Sequence, residues 1–362
     1  MWNITELVIA FLISAATALL ITPLISKLAI KLKAVDKPDH RRKNHNGIKP
    51  SMGGLAIFIG AAAGFIYLQP AAPEMNAIII GAFIMLITGM LDDIFELRAS
   101  YKLIGQTAAA VTVVSSGLII EKLTIPFMGT VFFNDFVGIA LTIFWILAAS
   151  NAINLIDGLD GLAAGVSAIA LSSILVMAVI DYRIVVVYLT VILVGSIIGF
   201  LFHNFYPANI FMGDTGALFL GYSISIVAML GLFKNVAFFS FIVPIIVIAI
   251  PVFDTILAII RRSMNNQGIA TPDKKHIHYQ LMKMGYTHRQ SVLIIYGFSI
   301  FFGFMAIIFN SATLLSSLVT MVIIVLGIQL IAELAGVTFY NRRPLIDAFH
   351  RMIGLRKIDR IK

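Results

Sequence analysis

The chain has no cysteine, so neither disulfides nor thiolate metal sites are available to it. It is also poor in charge. Only 12% of its 362 residues are charged, against roughly 25% in soluble globular proteins. No polar stretch is long enough to fold alone; the longest are 31–50, 261–290 and 341–362. No basic region precedes the first apolar run, so residues 1–28 read as a first membrane span and not as a cleaved signal.

Apolar residues fill the space that charge leaves. They make up 60% of the chain, and the mean hydropathy is +0.99. A soluble core cannot hide that much apolar surface, so the expected fold is an all-α polytopic membrane protein in one domain, 1–362. Eleven apolar runs have a length suited to crossing a bilayer. They lie near 5–30, 51–69, 75–91, 103–120, 136–153, 160–180, 184–202, 215–232, 236–260, 291–309 and 312–333.

Lys and Arg set the orientation. All but Lys122, Arg183 and Lys234 of the 26 lie at residue 27 or in 31–50, 92–102, 261–290 and the tail, the alternate loops of an eleven-span chain. Those loops are therefore expected in the cytoplasm, with the N-terminus outside and the C-terminus inside. The same placement explains a pI of 9.6 without nucleic acid. One outside loop, 123–133, mixes β-branched and aromatic residues around Met128-Gly129-Thr130 and predicts a small hairpin.

The polar residues that hydrocarbon does not tolerate gather on the cytoplasmic side: Asp92-Asp93, then Asn151, Asn154, Asp157 and Asp160, then His203, Asn204 and Asp214, then His276 and His278. Acids and histidines at membrane depth mark function, because they must pair, bind an ion or face water. Five segments thus converge on one expected site, near 31–50, 92–102, 151–160, 203–214 and 261–290. The adjacent carboxylates of Asp92 and Asp93 repel, and a shared divalent cation or proton relieves that repulsion. Asn154, Asp157 and Asp160 repeat every three residues, along one helical arc or one loop edge. Oxygen ligands of this type suit Mg²⁺ together with phosphate oxygens. Asp214, flanked by Gly213 and Gly216, opens a span where a backbone must approach a ligand closely. His276 and His278 have no third His or Cys nearby, and suit a phosphate better than a transition metal. His40, His45, His288 and His350 read as surface residues. Asp254, inside the ninth run, is either a structural ion-pair partner or part of the site.

In their order and shared membrane side these residues resemble the polyprenyl-phosphate N-acetylhexosamine-1-phosphate transferases, glycosyltransferase family 4. The resemblance rests on Pro50-Ser-Met-Gly-Gly54, Asp92-Asp93, Tyr101-Lys102, the 151–161 stretch, Asn204, Phe211 to Asp214 and His276-Ile-His278, and covers nearly the whole chain. It is nearest to the branch that uses UDP-N-acetylglucosamine and undecaprenyl phosphate to begin teichoic acid or O-antigen. Tyr279 departs from that branch, which often has another His there.

The resemblance implies transfer of a sugar phosphate to the lipid phosphate with release of UMP, at the cytoplasmic face of the cell membrane. It implies Mg²⁺, with Mn²⁺ as a substitute, held by Asp214, Asn154 and Asp93. Asp92, Asp93 and Asp214 are the implied catalytic set. Lys102, Asp157, Asp160, Asn204, Phe211, His276 and His278 are the implied substrate contacts. A homodimer is compatible with this reading. The phospho-N-acetylmuramoyl-pentapeptide transferase of peptidoglycan synthesis is the alternative within the family. A secondary transporter is the alternative of another class, but its acids belong near the midplane between repeats. An intramembrane aspartyl protease would need two Asp and not the rest of the cluster.

Overall fold

The computed structural model describes residues 3–36, 49–125, 129–231, 242–264, 276–312 and 314–334. Most of the basic 31–50 loop, much of the 261–290 loop and the tail lie outside the described residues. Thirteen helices and two small hairpins are seen among those described. In hydrocarbon a helix satisfies its own backbone polar groups, which is why apolar sequence takes this form here.

The helices are α1 (Ile4–Lys31), α2 (Gly53–Leu68), α3 (Met75–Phe95), α4 (Ala99–Ser115), α5 (Asp135–Ile156), α6 (Leu162–Ile180) and α7 (Ile184–Asn204). Then follow α8 (Gly213–Gly231), α9 (Ile242–Val247), α10 (Ala249–Met264), α11 (Ile277–Lys283), α12 (His288–Asn310) and α13 (Leu314–Leu334). The expected starts carry caps. Asn3 accepts from Thr5 N at 3.0 Å and Asn134 from Val137 N at 2.9 Å. Thr287 and Gln290 form a capping box on α12.

Each of the eleven apolar runs holds a helix in its described part, and among the described residues eight helices are long and apolar enough to cross a membrane. The chain is a multi-pass membrane protein. Two runs are shorter than expected: α2 has 16 residues and α4 has 17. The ninth corrects the expectation of one unbroken helix over 236–260. It breaks between α9 and α10. Pro251 follows four residues after Val247, the last residue of α9; a proline has no N–H to give that carbonyl, and its ring crowds it.

The central helix is α8, in which every residue from Thr215 to Gly231 is buried. It packs against α2, α3, α5, α6 and α7. Outer helices turn large apolar side chains outward, among them Leu20, Phe144, Phe202 and Val322. β1 (Val35–Asp36) pairs with β2 (Lys49–Pro50), bringing the chain back to the start of α2. β3 (Lys122–Ile125) pairs antiparallel with β4 (Gly129–Phe132), with Thr124 opposite Thr130. This is the hairpin expected at 123–133.

Candidate active site

The C-terminal ends of α3 and α5 meet the N-terminal ends of α4 and α8 at one end of the bundle. There Lys102, on the first turn of α4, reaches Asp92 at 3.0 Å and also contacts Asp214 on α8. Asp214 accepts a second hydrogen bond from the Asn154 amide at 2.9 Å. Asn154 lies on the last turn of α5. One ammonium thus bridges two carboxylates, and the site stays compact despite like charges. Asp92 also accepts from Leu97 N at 2.9 Å, which fixes the turn between α3 and α4. One turn back on α5, Asn151 exchanges hydrogen bonds with Gln106 of α4.

Asp93 has a different task. Its oxygens accept from Ser51 Oγ at 2.9 Å, Asp214 N at 3.0 Å, Thr215 N at 3.0 Å and Thr215 Oγ1 at 2.5 Å. A carboxylate has about four lone-pair sites, and four donors occupy them. The group therefore caps the start of α8 from another helix, where a negative charge is favoured. Gly213 makes room for it. Its φ is +71°, and a Cβ there would lie 2.5 Å from Asp93 Oδ2. Ser51, in the Pro50–Gly54 stretch, is held nearby because Phe211 N donates to Pro50 O and Gly53 N to Phe211 O, both at 2.9 Å.

The 157–161 loop follows α5. Asp160 accepts from Ala208 N at 2.9 Å and faces Lys49 at 3.6 Å. Its own N–H donates to His288 Nε2 at 3.0 Å, while Tyr296 donates to Gly161 O at 2.5 Å. Helix α12 thus holds the loop at two points. Asp157 is not in the main hydrogen-bonded group, but it shares its field. Burial pushes its carboxyl well above the usual carboxylate range, and the charges of Asp214, Asp93 and Asp160 push it further. Asn204 is buried and donates to Ile210 O at 2.9 Å, shaping the turn that leads to Phe211. Lys49 lies 5.2 Å from the Phe211 ring centre.

His276 and His278 are buried, with parallel rings 5.9 Å apart. His278 rests on the 157–161 loop: a Cβ on Gly158 would lie 2.6 Å from its Nε2. Burial pushes its imidazole down to about 4. Tyr279 packs on His278 at 4.2 Å, and burial raises its phenol.

Two placements, those of His288 and His203, differ from the sequence reading, and the sequence leaves a third residue, Asp254, open. His288 is not a surface residue; it is half-buried against Tyr206 at 4.6 Å and holds Asp160. His203 turns away to the carbonyl of Leu19 on α1, at 3.0 Å. Asp254 is buried and joins His276 at 2.8 Å. Ser51, Thr215 and Gln106 are partners that sequence reasoning missed, because isolated polar side chains carry no distinctive spacing. His40, His45 and His350 lie outside the described residues.

Among the described residues, a polar, cation-bridged acidic cluster thus stands at one end of a bundle of apolar, membrane-length helices. Residues 75–232 match the family description "Glycosyl transferase family 4". The chain is 47% identical, over 96% of its length and 97% of the other's, to the Bacillus subtilis (strain 168) protein named "probable undecaprenyl-phosphate N-acetylglucosaminyl 1-phosphate transferase". It is 34% identical to a decaprenyl-phosphate N-acetylglucosaminephosphotransferase of Mycolicibacterium smegmatis, over 80% of this chain and 79% of the other. It is 27% identical to an undecaprenyl-phosphate alpha-N-acetylglucosaminyl 1-phosphate transferase of Yersinia pestis, over 80% of each. The chain belongs to glycosyl transferase family 4.

Proposed function

We propose that the chain transfers N-acetylglucosamine-1-phosphate from UDP-N-acetylglucosamine to undecaprenyl phosphate. The product would start a lipid-linked envelope polysaccharide such as teichoic acid, at the cytoplasmic face of the plasma membrane. An oxygen of the lipid phosphate forms a bond to the sugar-bearing phosphorus, and the bond to UMP breaks. The observation that carries this reading is the Asp92–Lys102–Asp214–Asn154 cluster at one end of the bundle. The relatives' names give the substrates.

The donor set fits a hard divalent cation. Asp214 and Asn154 supply oxygen, and no thiolate is available. The ammonium of Lys102 stands between two carboxylates, a place where positive charge is favoured. Asp214 and Asn154 would hold Mg²⁺, with a turn of the Asn154 amide to present its oxygen. Asp93 would give up one of its four donors to join them, so its part is to brace Asp214. When bound, the ion would neutralise charge on the diphosphate oxygens. Lys102 attracts and positions the phosphates. Asp92 orients the acceptor phosphate or takes its proton. Phe211 offers a ring face to uracil, and Asp157, Asp160 and Asn204 shape the loops around the nucleotide and sugar. His276 and His278 lie over the diphosphate.

Purified protein with labelled UDP-N-acetylglucosamine and undecaprenyl phosphate should yield lipid-linked sugar and UMP. Chelation with EDTA should stop it, and Mg²⁺ or Mn²⁺ should restore it. Full turnover in chelator refutes the metal. In competition, the UDP-muramoyl-pentapeptide should be refused; comparable transfer from it would change the donor assignment and leave the reaction class.

A further inference from the structure

His276 is the residue just before α11, and Asp254 lies on α10. The two side chains meet in the interior, each well buried. Asp254 Oδ2 is 2.8 Å from His276 Nδ1. Asp254 Oδ1 accepts from the Ile277 backbone N–H at 3.1 Å. One carboxylate therefore grips the histidine from two sides, through its ring and through the peptide that follows it. A carboxylate is an acceptor only, so Nδ1 must carry the proton of that bond. The tautomer is thereby fixed, and Nε2 is the nitrogen that remains for a ligand.

The neighbourhood points to a ligand. The ring of His278 lies parallel to that of His276, and both of its nitrogens are buried with no hydrogen-bond partner among the described residues. Such atoms call for a partner, because burying an unpaired polar group is unfavourable. His278 also touches Gly158, beside Asp157. The two rings therefore stand at the edge of the acidic cluster.

We propose that Asp254 is a positioning residue of the donor site: it fixes the tautomer and ring plane of His276 so that Nε2 meets the donor's diphosphate. This rests on the reading of the reaction given above. Asp254 touches no substrate and acts only through His276. It does not act on the lipid acceptor.

The test is a double-mutant cycle in the full-length protein, assayed with UDP-N-acetylglucosamine and undecaprenyl phosphate. Asp254→Asn keeps one acceptor oxygen but places an amide nitrogen against one of the two donors. The KM for the nucleotide sugar should rise about tenfold, as expected for a lost hydrogen bond to a charged group, with kcat and the acceptor KM little changed. His276→Gln should do the same, and the double variant should be no worse than either. Additive losses, or a fall in kcat with an unchanged donor KM, would overturn the proposal. If Asp254→Asn does not fold, His276→Asn decides. Its amide still donates to Asp254 but has no counterpart of Nε2, so its donor KM should rise; a normal donor KM would overturn the proposal. Wild-type turnover in the same assay tests the reaction itself, so the two ideas fail separately.

Discussion

Asp214 meets an ammonium on one oxygen and an amide on the other, and its charge is what both partners address. Asp214→Asn keeps the volume and removes that charge. Turnover should fall about 100-fold or more, the scale of losing one preorganised electrostatic contact. The thermal unfolding midpoint should change little, because Lys102 keeps Asp92 as a partner. A folded variant with normal turnover would take Asp214 out of the chemistry.

His278 gives a pH signature at the same scale. Its folded imidazole is held near pH 4 by burial; the charge of Asp254 acts upward, and those of His276 and His288 downward. An unfolded histidine titrates near 6.5. The folded pKa is the lower one, so the folded state binds fewer protons. The stability of neutral His278 is full above the unfolded value and is lost as pH falls from about 6.5 toward 4. The unfolding midpoint in detergent should drop across that window in the wild type and less in His278→Gln. Identical acid profiles for the two would refute this.

At the scale of elements, α8 begins on a cap from α3. Asp93 serves two backbone N–H groups that α8 cannot satisfy itself. Asp93→Asn turns one acceptor into a donor facing Thr215 or Asp214. The variant should be destabilised by about 1–3 kcal/mol, the range for a buried group left unpaired. Denaturation in detergent would measure it, with Asp214→Asn as the reference. Equal midpoints for the two variants would show that Asp93 does not hold the helix. The sequence carried the adjacent Asp92 and Asp93 but not their division of labour. Two neighbours on a helix point about 100° apart, so one turns to Lys102 and the other to α8, and only packing decides which.

Across the whole molecule the site sits at one end of the bundle, and the orientation proposed from charge bias puts that end in the cytoplasm. The native chain has no cysteine, so single-cysteine labelling is clean. A cysteine at exposed Glu96, beside the site, should be shielded from an impermeant reagent in intact cells. One at exposed Ala71, at the other end of α2 and α3, should react. The reverse pattern would invert the orientation and part the site from cytoplasmic nucleotide sugars.

The sequence by itself determined the membrane class, the helical runs and the list of acids, amides and histidines, because hydropathy and buried charge are local properties. It also placed a hairpin at 123–133, where turn and β-forming residues lie close together, and the strands pair over 122–132. It did not determine the break at Ile248, since an apolar run reads the same whether one helix or two fill it. It left Asp254 open and put His288 on the surface. Tertiary structure decided both, by bringing Asp254 to His276 across 22 residues and His288 to Asp160 across 128. A side chain's role at such a site depends on which donors reach it, and those donors come from helices far apart in sequence whose approach is set by packing.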